Sequence, residues 1–173
     1  MCIRDRRDTA QSHERCTIVE VMGRNAGYLA LHSGIACGAT TIIVPEVEFD
    51  VEKDIINRIT RAKNSGKKHF IIVVAEGVGG VEKLSRQIEA VTGIDSRATI
   101  LGHVQRGGSP SVRDRVTASE MGYKAVELLS QGIGNRVIAE QKGRIVDMDI
   151  FEALKMEKPF DMELYEIANT INN

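Results

Sequence analysis

A chain of 173 residues that is 42% hydrophobic and 27% charged can bury one ordinary globular core, with little left over for a second. Its 23 basic and 24 acidic residues leave a formal net charge of -1, which gives no general attraction to nucleic acid or to an anionic membrane. No run approaches the roughly 20 apolar residues of a membrane span, and the amino terminus lacks the pattern of a secretory signal, so we expect a cytoplasmic protein without nucleic-acid or membrane partners.

Short β-branched runs alternate along the chain with apolar segments of helical period. Gly93 and Gly132 follow two of the helical segments and mark where those helices end. Such alternation with short connections predicts a doubly wound α/β fold, in which a mostly parallel sheet carries helices on both faces. The predicted elements in chain order are strand 17–22, helix 27–36, strand 41–44, helix 51–64, strand 69–75, helix 81–91, strand 97–101 and helix 112–130.

The pattern weakens after helix 112–130. Residues 137–140 and 145–147 flank Lys142-Gly143 in the manner of a β-hairpin. Two further helical segments begin near Asp149 and Met162.

The three cysteines, Cys2, Cys16 and Cys37, lack the close spacing of a zinc ligand set or a redox pair. Their number is odd, so a disulfide framework is not indicated. We expect Cys16 and Cys37 to be buried as small apolar residues.

Ligands of doubly wound sheets bind outside the carboxyl ends of the strands. The four loops that follow the predicted strands are polar and rich in glycine, and three of them can bring Arg, His or Glu to one rim of the sheet. These loops are MGRNAG at 22–27, PEVE at 45–48, EGVGG at 76–80 and GHVQRGGSP at 102–110.

Two of the loops contain an arginine next to glycine, at Gly23-Arg24 and at Arg106-Gly107. Glycine lets the backbone approach a ligand closely, and the free N-H groups of a following helix favour an anion. Arginine adds a bidentate fork of donors. Both pairs therefore resemble phosphate contacts.

Glu76 and His103 follow their strands at the same rim. A carboxylate in the position of Glu76 could accept hydrogen bonds from sugar hydroxyls, and a solvated loop glutamate is an equal alternative. A lone histidine such as His103 is more often structural than catalytic. Ser109-Pro110 also suits the cap and early first turn of the next helix, which accounts for these two residues and leaves Arg106 unexplained.

Arg15 and Arg97 stand at the opposite ends of their predicted strands. A strand of five or six residues spans roughly 17 to 20 Å, so these arginines cannot easily join the same pocket. They either reach a second site or a neighbouring subunit, or they are ordinary surface charges.

No phosphoryl-donor site is evident in the chain. Phosphoryl transfer needs a cradle for the donor, a carboxylate that holds magnesium, and a base for the attacking hydroxyl. The sequence contains no Gly-x-x-x-x-Gly-Lys-Ser/Thr loop and predicts no metal site. The residues by themselves therefore indicate a binder of a small phosphorylated molecule.

Five segments, RDTAQSHER, VEVMGRNAGYLAL, IIVPEVEFD, GKKHFIIVVAEG and ILGHVQRGGSPSVRDRVTASEMG, occur in this order from about Arg7 onward. In their order and spacing the chain resembles the bacterial 6-phosphofructokinases. The resemblance implies a phosphofructokinase-like fold and a glycolytic transferase that phosphorylates fructose 6-phosphate to fructose 1,6-bisphosphate with ATP and Mg²⁺.

The resemblance also implies roles for individual residues. Arg24 would be catalytic, because it would stabilise charge that develops on the transferred phosphoryl group. Arg15 and Arg97 match arginines that cross a subunit interface and bind substrate in the neighbouring subunit, usually within a homotetramer. The residues that would hold fructose 6-phosphate are Met22, Gly23, Arg24, Glu76, His103 and Arg106.

An allosteric site for ADP or phosphoenolpyruvate is implied as well. Thr40 stands where the family commonly has an acidic residue and Ser65 where a basic residue is frequent, which weighs against magnesium-nucleotide binding at this site. The Lys67-Lys68 pair suits a solvated charge cluster equally well. The implied effector residues are Arg7, Gly38, Ala39, Thr40, Lys67, Lys68 and His69.

The family's glycine-rich ATP loops, magnesium ligand and catalytic aspartate have no match in this sequence. The resemblance assigns residues 1–104 and 156–173 to the sugar-phosphate-binding domain, and residues 105–155 to a return segment of a donor domain that is otherwise missing. We therefore expect helix 112–130 to expose apolar surface, and the chain to be inactive alone.

Two alternatives share the same sugar-binding half. In a pyrophosphate-dependent phosphofructokinase the residues that select the donor would lie outside this sequence. A non-catalytic sugar-phosphate sensor would keep the rim arginines with no donor domain encoded nearby. Glycine-rich phosphate loops in the adjoining coding sequence would distinguish the enzyme from the sensor.

Overall fold

The computed structural model describes residues 14–171, so the predictions for Cys2 and Arg7 lie outside the described residues. The chain divides into two compact units. Within the described residues, the first comprises residues 14–106 and 160–171, and the second comprises residues 107–159.

The first unit is built on a four-stranded parallel sheet. Its strands are β1 (Cys16–Val21), β2 (Thr41–Ile43), β3 (Phe70–Ala75) and β4 (Ser96–Ile100), in the order β2-β3-β1-β4. The register places Cys16 beside both Phe70 and Ser96, so the three longer strands begin level with one another. The parallel α/β fold predicted from the sequence is confirmed.

Within residues 14–171 the α-helices lie close to their predicted positions, apart from the start of the segment predicted at 51–64. They are α1 (Tyr28–Cys37), α2 (Asn57–Asn64), α3 (Val81–Thr92), α4 (Val112–Ser130), α5 (Ile150–Ala153) and α6 (Met162–Ile171). No helix within residues 14–171 combines the length and the apolar character needed to cross a bilayer.

Helices cover both faces of the sheet, and the strands β1 and β3 are accordingly buried at nearly every position. Odd-numbered side chains such as Val19 and Val73 pack in one cluster with residues of α1 and α6. Even-numbered side chains such as Ile18 and Ile72 pack in a second cluster with residues of α2 and α3. The continuous apolar runs thus form the central layer of the unit.

The segment predicted as one α-helix at 51–64 begins differently. Its first six residues, Val51–Ile56, have π-helical hydrogen bonding, and α-helical bonding starts only with α2. The carboxylate of Asp50 accepts the Lys53 amide at 2.8 Å, and the Asp54 carboxylate accepts the Asp50 amide at 2.8 Å. These two bonds satisfy amides at the start of the segment, where a helix lacks backbone partners.

The expected burial of two cysteines is confirmed. Cys16 is fully buried and Cys37 is 7% exposed. Burial raises the pKa of the Cys16 thiol to about 12, with a smaller opposing effect from its hydrogen bond with Ser96. Cys16 is therefore a neutral core side chain at physiological pH.

The second unit contains α4, α5 and a two-stranded antiparallel hairpin of β5 (Arg136–Gln141) and β6 (Arg144–Asp149). Lys142 and Gly143 form the two-residue turn, with φ of 52° and 77°. Two consecutive positive φ values are typical of hairpin turns that match the twist of the strands. The hairpin predicted around this pair is confirmed.

The predicted cap of α4 is wrong by two residues. Ser111, not Ser109, accepts the Asp114 amide, and the Asp114 carboxylate accepts the Ser111 amide at 2.8 Å. This reciprocal capping box requires an acceptor three residues after the serine, which Asp114 supplies to Ser111.

The second unit exposes much apolar surface, as predicted for its long helix. Leu128 is its one buried hydrophobic residue. Val112 is 79% exposed and Tyr123 is 72% exposed, and Val126 and Leu129 are each 67% exposed. Apolar exposure on this scale is unusual for a self-sufficient soluble unit and marks a surface that packs against something else.

Candidate functional site

A crevice lies between the carboxyl ends of β1 and β3. The chain leaving β1 passes over β3 to reach β2, whereas the chain leaving β3 passes over β1 to reach β4. The connecting helices α1 and α3 pack on opposite faces of the sheet. Strand connections that diverge in this way open a gap in which doubly wound proteins bind their ligands.

A cavity of about 510 Å³ is formed by the loops that follow β1, β3 and β4. It brings together five of the six residues predicted to hold the sugar phosphate. His103 lies on the same 3-10 turn as Gln105, Gly102–Gln105, but is not one of the residues that line the cavity. The lining residues are Met22, Gly23, Arg24, Leu29, Glu76, Gln105 and Arg106.

The tight turn at residues 22–24, which we call the 22–24 turn, places Arg24 in the cavity. A Cβ atom at Gly23 would lie 2.4 Å from the carbonyl oxygen of Ala26, so only glycine fits there. Arg24 itself has a φ of 53°, a conformation that few residues other than glycine adopt. The turn must be held from outside, because its own backbone preference opposes it.

Two side chains from other loops hold the 22–24 turn. The Arg24 amide donates to Oε1 of Glu76, and the Met22 amide donates to Oε1 of Gln105 at 2.7 Å. Glu76 was predicted as a ligand of sugar hydroxyls, and in this structure one of its oxygens binds the protein backbone instead. Gln105 was not singled out from the sequence, although it stands next to Arg106 in the same glycine-rich loop.

The backbone of Gly77 packs closely against the backbone of the 22–24 turn. A Cβ atom at this position would lie 2.4 Å from the carbonyl oxygen of Arg24 and 3.2 Å from the Cα atom of Asn25. Two backbone segments therefore approach each other more closely than any larger residue permits.

We expect Gly77→Ala to lower the free energy of unfolding by about 1 to 2 kcal/mol, because the added methyl group forces the 22–24 turn away from β3. Urea unfolding followed by circular dichroism measures this. Gly122→Ala is the matched control, since a Cβ atom there meets nothing within 4 Å and lies within α4. Equal stability of the two variants would contradict the close approach.

The loop at 45–48 supplies a hydrogen-bond acceptor to the amino end of α1. Oε1 of Glu46 accepts the amide of Gly27 at the start of α1, at 2.7 Å. A carboxylate at this position suits the positive end of the helix dipole. At least this amide after the 22–24 turn is thus already bound, although the sequence had suggested free amides for an anion.

Glu20 adds a second carboxylate near the cavity. In the sheet Glu20 lies between Val74 on β3 and Ile100 on β4. Val74 precedes Glu76 by two positions, so Glu76 follows on the same face of β3. Burial raises the pKa of Glu20, and the nearby charge of Glu76 raises it further. Because the folded-state pKa of Glu20 lies above its ordinary value, its contribution to stability falls as the pH rises from the ordinary pKa through the raised one.

Arg15 and Arg97 lie at the opposite edge of the sheet, at the amino ends of β1 and β4. Asp95 joins them: its carboxylate contacts Nη2 of Arg15 at 3.3 Å and Nε of Arg97 at 3.1 Å. The two arginines thus form one cluster that is separated from Arg24 by the length of β1.

The predicted effector residues within residues 14–171 also lie toward the amino edge. Nζ of Lys67 donates to Oγ1 of Thr40 at 3.3 Å, which links the turn after α1 to the start of β3. Lys68 pairs with Glu14 at 2.7 Å, and this contact raises the Lys68 pKa. Both lysines border a second cavity of about 360 Å³. Gly38 ends α1, while Ala39 is buried.

Metal ligands do not cluster in the described part of the chain. Among residues 14–171, no group of three or more His, Cys, Asp or Glu side chains is arranged to hold an ion.

Comparison with known proteins gives consistent matches. The sequence profile of the family named Phosphofructokinase matches residues 1–129. The chain is 60% identical over 166 residues to ATP-dependent 6-phosphofructokinase 1 of Clostridium perfringens (strain 13 / Type A), covering 96% of this chain and 52% of that protein. It is 54% identical over 166 residues to ATP-dependent 6-phosphofructokinase of Clostridium botulinum (strain Hall), with the same coverage. The chain thus spans about half the length of these curated relatives.

The fold matches solved structures as well. The phosphofructokinase of Saccharomyces cerevisiae superposes with a TM-score of 0.80 at 31% identity, covering 98% of this chain and 24% of that one. The Pichia pastoris phosphofructokinase in the T-state superposes with a TM-score of 0.74 at 28% identity, covering 97% of this chain and 20% of that one.

Proposed function

Because the chain belongs to the phosphofructokinase family, we propose that it supplies the fructose 6-phosphate site of an ATP-dependent 6-phosphofructokinase. The observation that carries the proposal is the cavity in which Arg24 and Arg106, from two separate loops, stand together with Glu76. Two guanidinium groups suit a phosphate and a second developing negative charge. The free oxygen of the Glu76 carboxylate suits a sugar hydroxyl.

The arginines have separate roles in this proposal. Arg106 binds the 6-phosphate of the sugar, and Arg24 offsets the charge on the phosphoryl group that moves from ATP to the 1-hydroxyl. Met22, Gly23 and His103 complete the sugar site. Arg15 and Arg97, held together by Asp95, serve the site of a neighbouring subunit in a homotetramer.

Among residues 14–171, no group of three or more His, Cys, Asp or Glu side chains is arranged to hold the Mg²⁺ ion. ATP and Mg²⁺ would be held by residues of the kind found in the half of the relatives that this chain does not match.

The second unit has a role in the same proposal. Residues 105–155, which include most of the second unit, form the return segment of the donor domain, and residues 1–104 with 156–173 form the sugar-phosphate domain. Gln105 and Arg106, at the start of the return segment, line the sugar cavity. The exposed side chains of Val112, Tyr123, Val126 and Leu129 suit burial against the remainder of a donor domain. The cavity beside Lys67 and Lys68 would take the ADP or phosphoenolpyruvate effector. The protein would work in the cytoplasm.

The test is reconstitution. We define the hybrid as the part of the Clostridium perfringens relative that this chain does not match, joined to this chain. We expect the hybrid to convert fructose 6-phosphate with ATP and Mg²⁺, and the chain alone to show no turnover above background. A coupled steady-state assay measures both, with a parallel assay in which pyrophosphate replaces ATP.

A soluble, folded hybrid that turns over with neither donor would overturn the proposal. Turnover by the chain alone would contradict the assignment of the donor site to other residues. Phosphate release from ATP that does not depend on the sugar would exclude the sugar as the acceptor.

A further inference from the structure

The 22–24 turn and the Gly102–Gln105 turn are joined by one hydrogen bond between residues 83 positions apart, from the Met22 amide to the Gln105 side chain at 2.7 Å. Gln105 lines the cavity and is partly buried. A neutral amide oxygen is its accepting atom, so the bond adds no charge to a cavity that contains two arginines.

Arg106 directly follows Gln105, and Arg24 lies two residues after Met22. Arg106 is fixed to its own turn, because its amide donates to the carbonyl of His103 at 3.0 Å. The bond between Gln105 and Met22 therefore lies between the backbone segments that present the two guanidinium groups. Loss of this bond leaves Glu76 as the one side chain described above that still holds the 22–24 turn.

We propose that Gln105 is a positioning residue that sets the spacing between Arg24 and Arg106 by holding the Met22 amide. The inference rests on the proposed function, in which Arg106 holds the 6-phosphate and Arg24 stands beside the reacting 1-hydroxyl, so the spacing of the two arginines decides how the sugar fits between them. A site whose spacing is set before binding loses less conformational freedom when the ligand arrives.

The choice of glutamine over glutamate follows from the same geometry. A glutamate side chain at 105 could accept the Met22 amide equally well, since the accepting oxygen is retained. Its negative charge would then stand in a cavity that receives a phosphate, where like charges repel. Glutamine is the long side chain that offers an oxygen acceptor without that charge.

Two variants separate the hydrogen bond from the charge. Gln105→Met keeps the length of the side chain and removes the oxygen acceptor. Gln105→Glu keeps the acceptor and adds the charge. Amide hydrogen exchange of the ¹⁵N-labelled 173-residue chain reports on the Met22 amide, and calorimetric titration with fructose 6-phosphate reports on binding. The Glu76 amide, bonded to the Val21 carbonyl at 2.9 Å, is the internal reference.

We expect Gln105→Met to speed exchange of the Met22 amide at least about fivefold relative to the Glu76 amide, and to weaken sugar-phosphate binding by a similar factor. We expect Gln105→Glu to retain protection of Met22 while weakening binding about tenfold or more. Unchanged Met22 exchange in Gln105→Met, or unchanged affinity in both variants, would overturn the inference.

The remaining outcomes are also decisive. If Gln105→Met fails to fold, the inference stands or falls on the protection of Met22 in the unsubstituted chain and in Gln105→Glu, and an unprotected amide there rejects it. If the unsubstituted chain shows the expected exchange but does not bind fructose 6-phosphate, the same titrations in the hybrid decide the inference, and a folded hybrid that does not bind the sugar rejects the proposed function while the hydrogen bond stands.

Discussion

Replacing Arg24 by alanine in the hybrid is expected to lower kcat by about 100- to 1,000-fold, with a much smaller change in the affinity for fructose 6-phosphate. The reason is that a guanidinium aimed at developing charge acts mainly in the transition state, so its loss affects kcat more than ground-state binding. Steady-state kinetics at saturating ATP measure the effect. Arg86→Ala is the control, because Arg86 is exposed on α3 and bonds only a carbonyl of its own helix in the described contacts.

The positive φ of Arg24 allows a second comparison. Arg24→Gly removes the guanidinium but also relieves the backbone strain, whereas Arg24→Ala retains the strain. Equal losses of kcat in the two variants identify the guanidinium as the cause. A kcat that survives in Arg24→Gly would assign the effect to the shape of the 22–24 turn and would contradict a catalytic role for the side chain.

The sheet could be predicted from the sequence because its strands are buried on both faces. The run FIIVVA is apolar at every position, and CTIVEV is interrupted only by Thr17 and Glu20, which is typical of central parallel strands. Glycines after helices were equally informative: Gly93 ends α3 with a φ of 68°, and Gly132 follows α4 with a φ of 75°. The apolar strand runs and the glycines that end helices are both visible within a short stretch of residues, so both can be predicted from a single sequence.

Features that depend on competing local partners were harder to predict. Ser109 and Ser111 are both reasonable caps for α4, and the choice is made by the position of Asp114 relative to each. The π-helical start of the 51–64 segment is likewise accompanied by side-chain bonds of Asp50 and Asp54 that no apolar periodicity reveals.

The grouping of the site residues followed from topology alone, since carboxyl ends of parallel strands meet at one edge. This places Arg24, Glu76 and Arg106 together, and it places Arg15 and Arg97 at the other edge. What each side chain binds within the site could not be derived in the same way. The bond from Glu76 to the Arg24 amide joins residues 52 positions apart, and only the folded geometry shows it.

Asp95 illustrates the same limit at the opposite edge. Its contacts with both arginines depend on the register between β1 and β4, in which Thr17 lies beside Arg97. The sequence shows only that an aspartate precedes Arg97 by two positions. The residues by themselves therefore allow either a ligand contact or an ordinary surface position for Arg15 and Arg97, and only the family resemblance favours the neighbouring subunit.

Replacing Arg106 by alanine in the hybrid is expected to weaken fructose 6-phosphate binding by about 1.5 to 3 kcal/mol, roughly 10- to 150-fold, because the phosphate loses a charge-assisted pair. The guanidinium adjoins a backbone that is extended at Arg106 and held by the His103 carbonyl, so its loss should not disturb the fold. Calorimetry in the absence of ATP measures the affinity directly, and circular dichroism checks the fold.

Arg106→Lys is the matched variant, since it keeps the positive charge and loses the two-pronged donor geometry. We expect its affinity to lie between those of the unsubstituted hybrid and Arg106→Ala. Because a phosphate contact is electrostatic, raising the salt concentration should weaken binding by the unsubstituted hybrid more than binding by Arg106→Ala. Unchanged affinity in Arg106→Ala would exclude Arg106 as the phosphate ligand, and equal salt dependence in all three proteins would place the phosphate away from this residue.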